Sequence, residues 1–109
     1  MKNECIEDEF GNKEWYLNDN LHRLDVPAVE YVDSNKEWWV KGKCHRIGGP
    51  AIEYIGAYKA WWVEGKRHRV DGPAIEYKNG YKEWHYKGTR LKVSSQQEFE
   101  KLIKLKVFW

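Results

Sequence analysis

No stretch of the 109 residues is apolar for anything near the ~20 positions a membrane-spanning helix needs. The first ten residues are polar and acidic, so they do not read as a secretory leader. Cysteine is scarce. Cys5 and Cys44 are the only two, and neither belongs to a CxxC pair. That excludes a disulfide framework and a paired metal-binding motif, and nothing in the spacing supports a bridge between the two. Both absences point to a reducing, cytoplasmic setting, the host's cytoplasm if the chain is viral. Charge of one sign is also lacking. The net charge is +2, with acidic and basic residues interspersed, so no whole-chain field marks a nucleic-acid binder. Serine occurs only at Ser34, in a turn, and at Ser94 and Ser95. None stands in a pattern that brings a base to it, and no glycine-rich phosphate loop occurs.

What the chain has instead is a period. Trp15, Trp38, Trp61 and Trp84 recur every 23 residues, as do His22, His45 and His68, Arg23, Arg46 and Arg69, and Pro27, Pro50 and Pro73. A fixed period of this size means one supersecondary unit stacked on its neighbours. In the third unit, Lys59–Val63 is a strand and Glu64-Gly65-Lys66 a turn. His68–Val70 is a short strand, Asp71-Gly72-Pro73 a kink, and Ala74–Tyr77 the return strand. Lys78-Asn79-Gly80 closes the hairpin. Gly42, Gly65 and Gly88, with Asp19 in the same register, mark a position that needs φ > 0.

The units of Trp-Trp-Val, Gly-Lys, His-Arg and Gly-Pro-Ala-Ile-Glu-Tyr at 36–54, repeated with substitutions at 59–77, resemble MORN repeats, in particular the variant of bacterial and phage proteins. Lys-Glu-Trp-Trp replaces the family's usual opening, and Arg follows the His where Gly is common. The resemblance covers about residues 10–93. It implies an all-β fold: a single-sheet antiparallel meander of stacked hairpins, an open solenoid. It also implies an interaction or assembly role, of which antitoxin-like and small phage proteins are examples. Ser95-Gln-Gln-Glu98 is a capping-box pattern, and Gln96–Phe108 then reads as a helix with Phe99, Leu102, Ile103 and Val107 on one stripe. The expected division is therefore a repeat array over 1–93 and an amphipathic helix over 94–109 that covers the last strand's open edge.

Alternation along the first strand of each unit puts Trp15/Leu17, Trp38/Val40, Trp61/Val63 and Trp84/Tyr86 on one side. We assign that side, together with Ile52 and Tyr54 of the return strand, to the core. The other side then presents Tyr16, Trp39, Trp62 and His85 to solvent, rimmed by Glu37, Lys41, Glu64 and Lys87. On this reading Trp38→Ala is costly to the fold and Trp39→Ala is not. Aromatic residues dominate binding hot spots, so this row is the candidate surface for another protein, a host or toxin-like target. The alternative is a stacking platform for a nucleotide, single-stranded nucleic acid or sugar, against which the low net charge argues. Unpaired sheet edges leave a route to oligomers. Each repeated His is expected to bond a neighbouring turn, and each Arg to stack on a Trp of the next rung. Cys44 and His45 point to opposite faces and the three histidines lie about 10 Å apart, so neither a metal site nor a Cys–His couple is expected. The Glu30, Glu53 and Glu76 ladder reads as a solvated edge. No catalytic residue, metal or other cofactor is expected.

Overall fold

A computed structural model describes residues 3–105. A hairpin of β1 (Asn3–Glu7) and β2 (Lys13–Leu17) begins the chain, and β3 (Asn20–Leu21) and β4 (Val29–Glu30) complete the first unit. The second unit holds β5 (Lys36–Glu37), β6 (Trp39–Val40), β7 (Lys43–Cys44) and β8 (Ile52–Tyr54). The third repeats it as β9 (Tyr58–Ala60), β10 (Trp62–Val63), β11 (Lys66–Arg67) and β12 (Ile75–Tyr77). Next come β13 (Lys82–Tyr86), β14 (Thr89–Leu91) and the helix α1 (Gln96–Leu105).

The strands pair antiparallel in a meander of hairpins that does not close into a barrel. Ten of them form the main sheet, and β6–β7 and β10–β11 stand as two-stranded sheets beside it. The expected single sheet is thus divided, and the dividing residue is the repeated tryptophan. Up to Trp38 the strand pairs with the return strand. The Trp38 N–H donates to the Ala51 carbonyl at 2.7 Å, and its own carbonyl then accepts from the His45 N–H at 3.1 Å. Trp61 does the same between Ala74 and His68. Each strand changes partner at its Trp.

The hairpin tips are two-residue loops, since Val40 pairs with Lys43, Val63 with Lys66 and Tyr86 with Thr89. Both loop residues have φ > 0: Lys41 and Gly42 at 51° and 78°, Glu64 and Gly65 at 52° and 78°, Lys87 and Gly88 at 49° and 90°. These are type I′ geometries, whose twist matches that of the flanking strands. The expected positive φ at Asp19, Gly42, Gly65 and Gly88 is present. The residue before each of these four shares it, which puts Asn18, Lys41, Glu64 and Lys87, all non-glycines, in the left-handed region.

Register decides the faces. Glu14, Val29, Glu37, Ile52, Ala60, Ile75 and Glu83 are successive cross-strand partners and share one side of the sheet. Glu37 and Trp39 therefore lie with Ile52 and Tyr54, and Trp38 lies with Ala51 and Glu53. This corrects the expected grouping, which placed Trp38 with Ile52. A sheet one layer thick has no single interior, and buried residues occur on both sides. Trp38, Cys44, Ala51, Ile52, Ala60 and Ile75 form the main cluster, with Trp39, Tyr54, Tyr58, Trp62 and Tyr77 packed against it.

Ser95 caps α1, its Oγ accepting the Glu98 N–H at 3.2 Å, while the Glu98 carboxylate reaches back to the Ser94 hydroxyl at 2.7 Å. Phe99, with no exposed surface, clusters with Trp84 and Leu91, and Leu102 and Ile103 pack beside it with Tyr86 and Val93. The helix thus seats on the Trp84 side of the last hairpin. The expected contribution of Val107 lies outside the described residues.

Candidate binding clefts

The two sides of the sheet have different chemistry. On the tryptophan side, each repeated arginine lies flat over the Trp of its own unit: Arg23 over Trp15, Arg46 over Trp38 and Arg69 over Trp61, all at 3.8 Å from the ring centre. The expected stacking on the next rung is corrected to stacking within the unit, because the chain turns back at the two-residue loop and returns the arginine eight residues later. Each guanidinium is held by the proline carbonyl four residues on and the glutamate seven residues on. Arg46 donates to the Pro50 carbonyl at 2.9 Å and to Glu53 at 3.2 Å, and Arg69 to Pro73 at 3.1 Å and Glu76 at 3.0 Å. The glutamate ladder is therefore the anchor for these arginines. Gly49 and Gly72 are required by the same layer, since a Cβ there would sit 2.9 and 2.6 Å from the Arg46 and Arg69 Cζ. The histidines do as expected: the amide N–H of Lys41, Glu64 and Lys87 donates to Nδ1 of His22, His45 and His68, each at 2.9 Å.

This layer leaves a cleft in each unit. The first, about 300 Å³, lies by Trp15, His22, Arg23 and Leu24. The second, about 340 Å³, lies by Leu24, Trp38, Val40, His45, Arg46 and Ile47. The third, about 380 Å³, lies by Ile47, Trp61, Val63, His68, Arg69 and Val70. Their rims are apolar and open to solvent, with Leu24 64 %, Ile47 74 % and Val70 48 % exposed. These three residues are 23 apart, and the next in register is Val93. Around Val93 the same cleft is filled. Leu91 replaces the histidine, Lys92 the arginine, and Phe99, Leu102 and Ile103 of α1 occupy the space over Trp84 and Tyr86. The Trp84 indole N–H donates to Gln96 Oε1 at 2.8 Å, and the Gln96 amide donates to the Val70 carbonyl at 2.9 Å.

The opposite side carries the expected row. Tyr16, Trp39, Trp62 and His85 do share a face, but two of the row and rim positions, His85 and Glu37, are buried. Glu37 is 8 % exposed and His85 5 %, and Trp39 and Trp62 are half-buried. Glu37 is a hub. It accepts from the Tyr31 hydroxyl at 3.0 Å, the Trp39 indole N–H at 2.9 Å and the Tyr54 hydroxyl. Trp39 is thus part of the packed structure, which corrects the expectation that its removal spares the fold. Tyr16 is half-buried and donates to Glu14 at 3.1 Å. Lys41, Glu64 and Lys87 are exposed at the loop tips as expected. A chain of ring contacts runs Tyr31–Tyr54–Tyr58–Tyr77–Tyr81 at centroid distances of 6.4, 5.2, 5.8 and 5.5 Å. Burial, and after it Glu37, pushes the Tyr31 phenol up to about 12. The same two causes push the Cys44 thiol up to about 12, which leaves it an unreactive core side chain. Both cysteines are free, Cys5 exposed and Cys44 buried. Among the described residues no three His, Cys, Asp or Glu side chains are grouped to hold a metal ion. No described helix is long and apolar enough to cross a membrane.

The Leu24, Ile47 and Val70 rims were missed from the sequence, although their 23-residue spacing was legible. They follow the Arg positions directly and lie outside the strands whose alternation assigned the faces. No family model, curated protein or solved structure matches the chain.

Proposed function

We propose that the chain is a MORN-like open solenoid without chemistry of its own that binds another protein and thereby blocks or scaffolds it. The docking surface is the tryptophan side, and the occupant is an amphipathic helical segment of the partner. One observation carries this reading: the fourth cleft already holds such a segment, the stripe of Phe99, Leu102 and Ile103 on α1. The three preceding clefts repeat part of its walls: a Trp, there covered by its arginine, Val40 or Val63 beside it in the second and third, and Leu24, Ile47 or Val70 at the rim. Contiguous exposed apolar groups on a folded chain mark interaction sites. Two strands per unit space the clefts by roughly 10 Å. On a helix that rises 1.5 Å per residue this is about seven residues, or two turns, so a heptad-spaced apolar stripe would enter successive clefts. A stacking platform running the length of Tyr16, Trp39, Trp62 and His85 is less well supported, because Trp39 is held by Glu37 and Tyr16 by Glu14.

A photo-crosslinking residue at position 47 would capture the partner from native cells, and the captured protein would then be titrated, purified, against the wild-type chain and variants. Ile47→Asp with Val70→Asp is expected to lower affinity at least tenfold while leaving the thermal midpoint within about 2 °C, since both side chains are solvent-exposed. Affinity unchanged in that variant would refute this surface.

A further inference from the structure

The side opposite the proposed docking clefts holds a feature the repeat does not require. Between the third and fourth units, a cleft of about 420 Å³ is lined by Trp62, Lys66, Arg67, His85, Lys87 and Thr89, with Gly65 and Gly88 of the loops. Every ionisable side chain in that lining is basic or a histidine. Four of the five arginines meet a carboxylate: Arg23 at Glu30, Arg46 at Glu53, Arg69 at Glu76, and Arg90 at the margin of Glu83. Arg67 has no ion pair among the described residues. It lies 5.1 Å from the Trp62 ring centre, and its Nε–H is buried without an acceptor. The other buried side-chain polar atom without a partner among the described residues is Nδ1 of His85, a residue whose Nε2 is engaged by Glu83 at 3.1 Å. Unpaired buried polar atoms are costly, and here the two belong to residues of one cleft.

The internal repeat separates what stacking needs from what it does not. The register of Arg67 holds Leu21 and Cys44 in the earlier units, and that of His85 holds Tyr16, Trp39 and Trp62, whereas Lys87 shares its register with Asn18, Lys41 and Glu64. The sheet is built with those residues in the earlier units, so the change from apolar to basic at Arg67 and His85 serves something other than the repeat.

We propose that this cleft binds a small phosphate-bearing anion. The Arg67 guanidinium, one of whose N–H groups lacks an acceptor, is a donor for a phosphate oxygen, with Lys66 supplying charge at the mouth; the Lys87 ammonium lies 5.3 Å from the Tyr86 ring centre, on the tryptophan side. Nδ1 of His85 serves phosphate in either ring state: it donates to P–O⁻ when protonated and accepts from P–OH when neutral. The volume exceeds that of a bare phosphate and one wall is an indole, which fits a phosphate ester with a planar group such as a nucleoside monophosphate.

The test is calorimetric titration of the whole chain with inorganic phosphate, pyrophosphate and the four common nucleoside monophosphates at low and moderate salt, with Trp fluorescence as a second readout. One-to-one binding is expected, weakened at least tenfold by Arg67→Gln and by Lys66→Glu, and weakened by salt. Lys66 is exposed, so Lys66→Glu keeps the test valid if Arg67→Gln perturbs the fold. Arg90→Gln, outside the cleft lining, is the control and should leave affinity unchanged. Absence of saturable binding of every ligand up to about 10 mM, a dissociation constant above which a phosphate site has no practical occupancy, would overturn the proposal. So would binding that is indifferent to both variants.

Discussion

Replacing Glu37 by alanine tests the account of the tyrosine side. Three donors converge on this carboxylate, the Tyr31 and Tyr54 hydroxyls and the Trp39 indole N–H. Hydrogen bonds to a charged acceptor contribute about 1.5–3 kcal/mol each, and a buried donor left without a partner costs about 1–3 kcal/mol. Tyr31 and Tyr54 are half-buried, so their hydroxyls recover part of that from water, and losing a buried carboxylate returns some desolvation energy. The net loss expected for Glu37→Ala is about 2–4 kcal/mol. The backbone is not the source of the cost, because Ala60 occupies the same register in the third unit and is fully packed there. For a chain of this size 1 kcal/mol shifts the midpoint by roughly 4–8 °C, so a fall of about 10–25 °C should appear in thermal unfolding. Glu37→Gln, which retains one acceptor oxygen, should fall between. Tyrosine absorbance supplies a second readout. The Tyr31 phenol, held up to about 12 by burial and then by Glu37, should ionise at lower pH in Glu37→Ala, though burial keeps it above its ordinary range. A stability change under about 0.5 kcal/mol, within the range of ordinary surface substitutions, would refute the hub.

His68 should make the protein acid-sensitive. Burial, and then the Lys87 charge, hold its pKa below the ordinary 6.5, so the unfolded chain takes up a proton that the folded one resists. Its contribution is complete above pH 6.5 and is lost as pH falls below that; protonation also abolishes the Nδ1 acceptor for the Lys87 amide. Midpoints of wild type and His68→Gln measured from pH 7.5 to 5 should converge at the acid end, and parallel curves would contradict the assignment. Gly72→Ala should cost about 1–3 kcal/mol in urea unfolding, since its Cβ would lie 2.6 Å from Arg69 Cζ and push the guanidinium off Pro73 and Glu76. Phe99→Ala should cost about 3–5 kcal/mol by emptying the fourth cleft, and a loss below 1 kcal/mol would mean that α1 is not seated there.

The first and return strands of each unit, the loop positions with φ > 0 and the histidine bonds were legible because each follows from residues close in sequence or repeated at one step, whereas the short strand expected at His68–Val70 lies instead at Lys66–Arg67. The faces were not. Alternation shows that Trp38 and Val40 share a side and that Ile52 and Tyr54 share a side, but only the pairing of Glu37 with Ile52 sets one pair against the other. One residue of register moves every side chain to the opposite surface, and the aromatic row was taken for the open side on that account. The arginines were misplaced by one rung for a related reason: a two-residue loop returns the chain onto its own strand. The cationic cleft at Arg67 and His85 was visible only as a departure from the period, and its meaning depends on which atoms lack partners in three dimensions.

Each histidine accepts the amide of the following unit's loop, and the loop glycine N–H donates back to the carbonyl just before that histidine, as Gly42 does to Leu21 and Gly65 to Cys44. The linkage runs one way along the array, like a hook that always catches the next eye. Duplicating one 23-residue segment would add a rung with its own hook and its own eye, leaving every earlier contact in place. The array ends where Leu91 replaces the hook and the helix folds over the vacancy. Length in such a protein is then written in two adjacent positions: restoring His-Arg at 91 and 92 converts a terminus into a junction, and reach can change without any redesign of the parts.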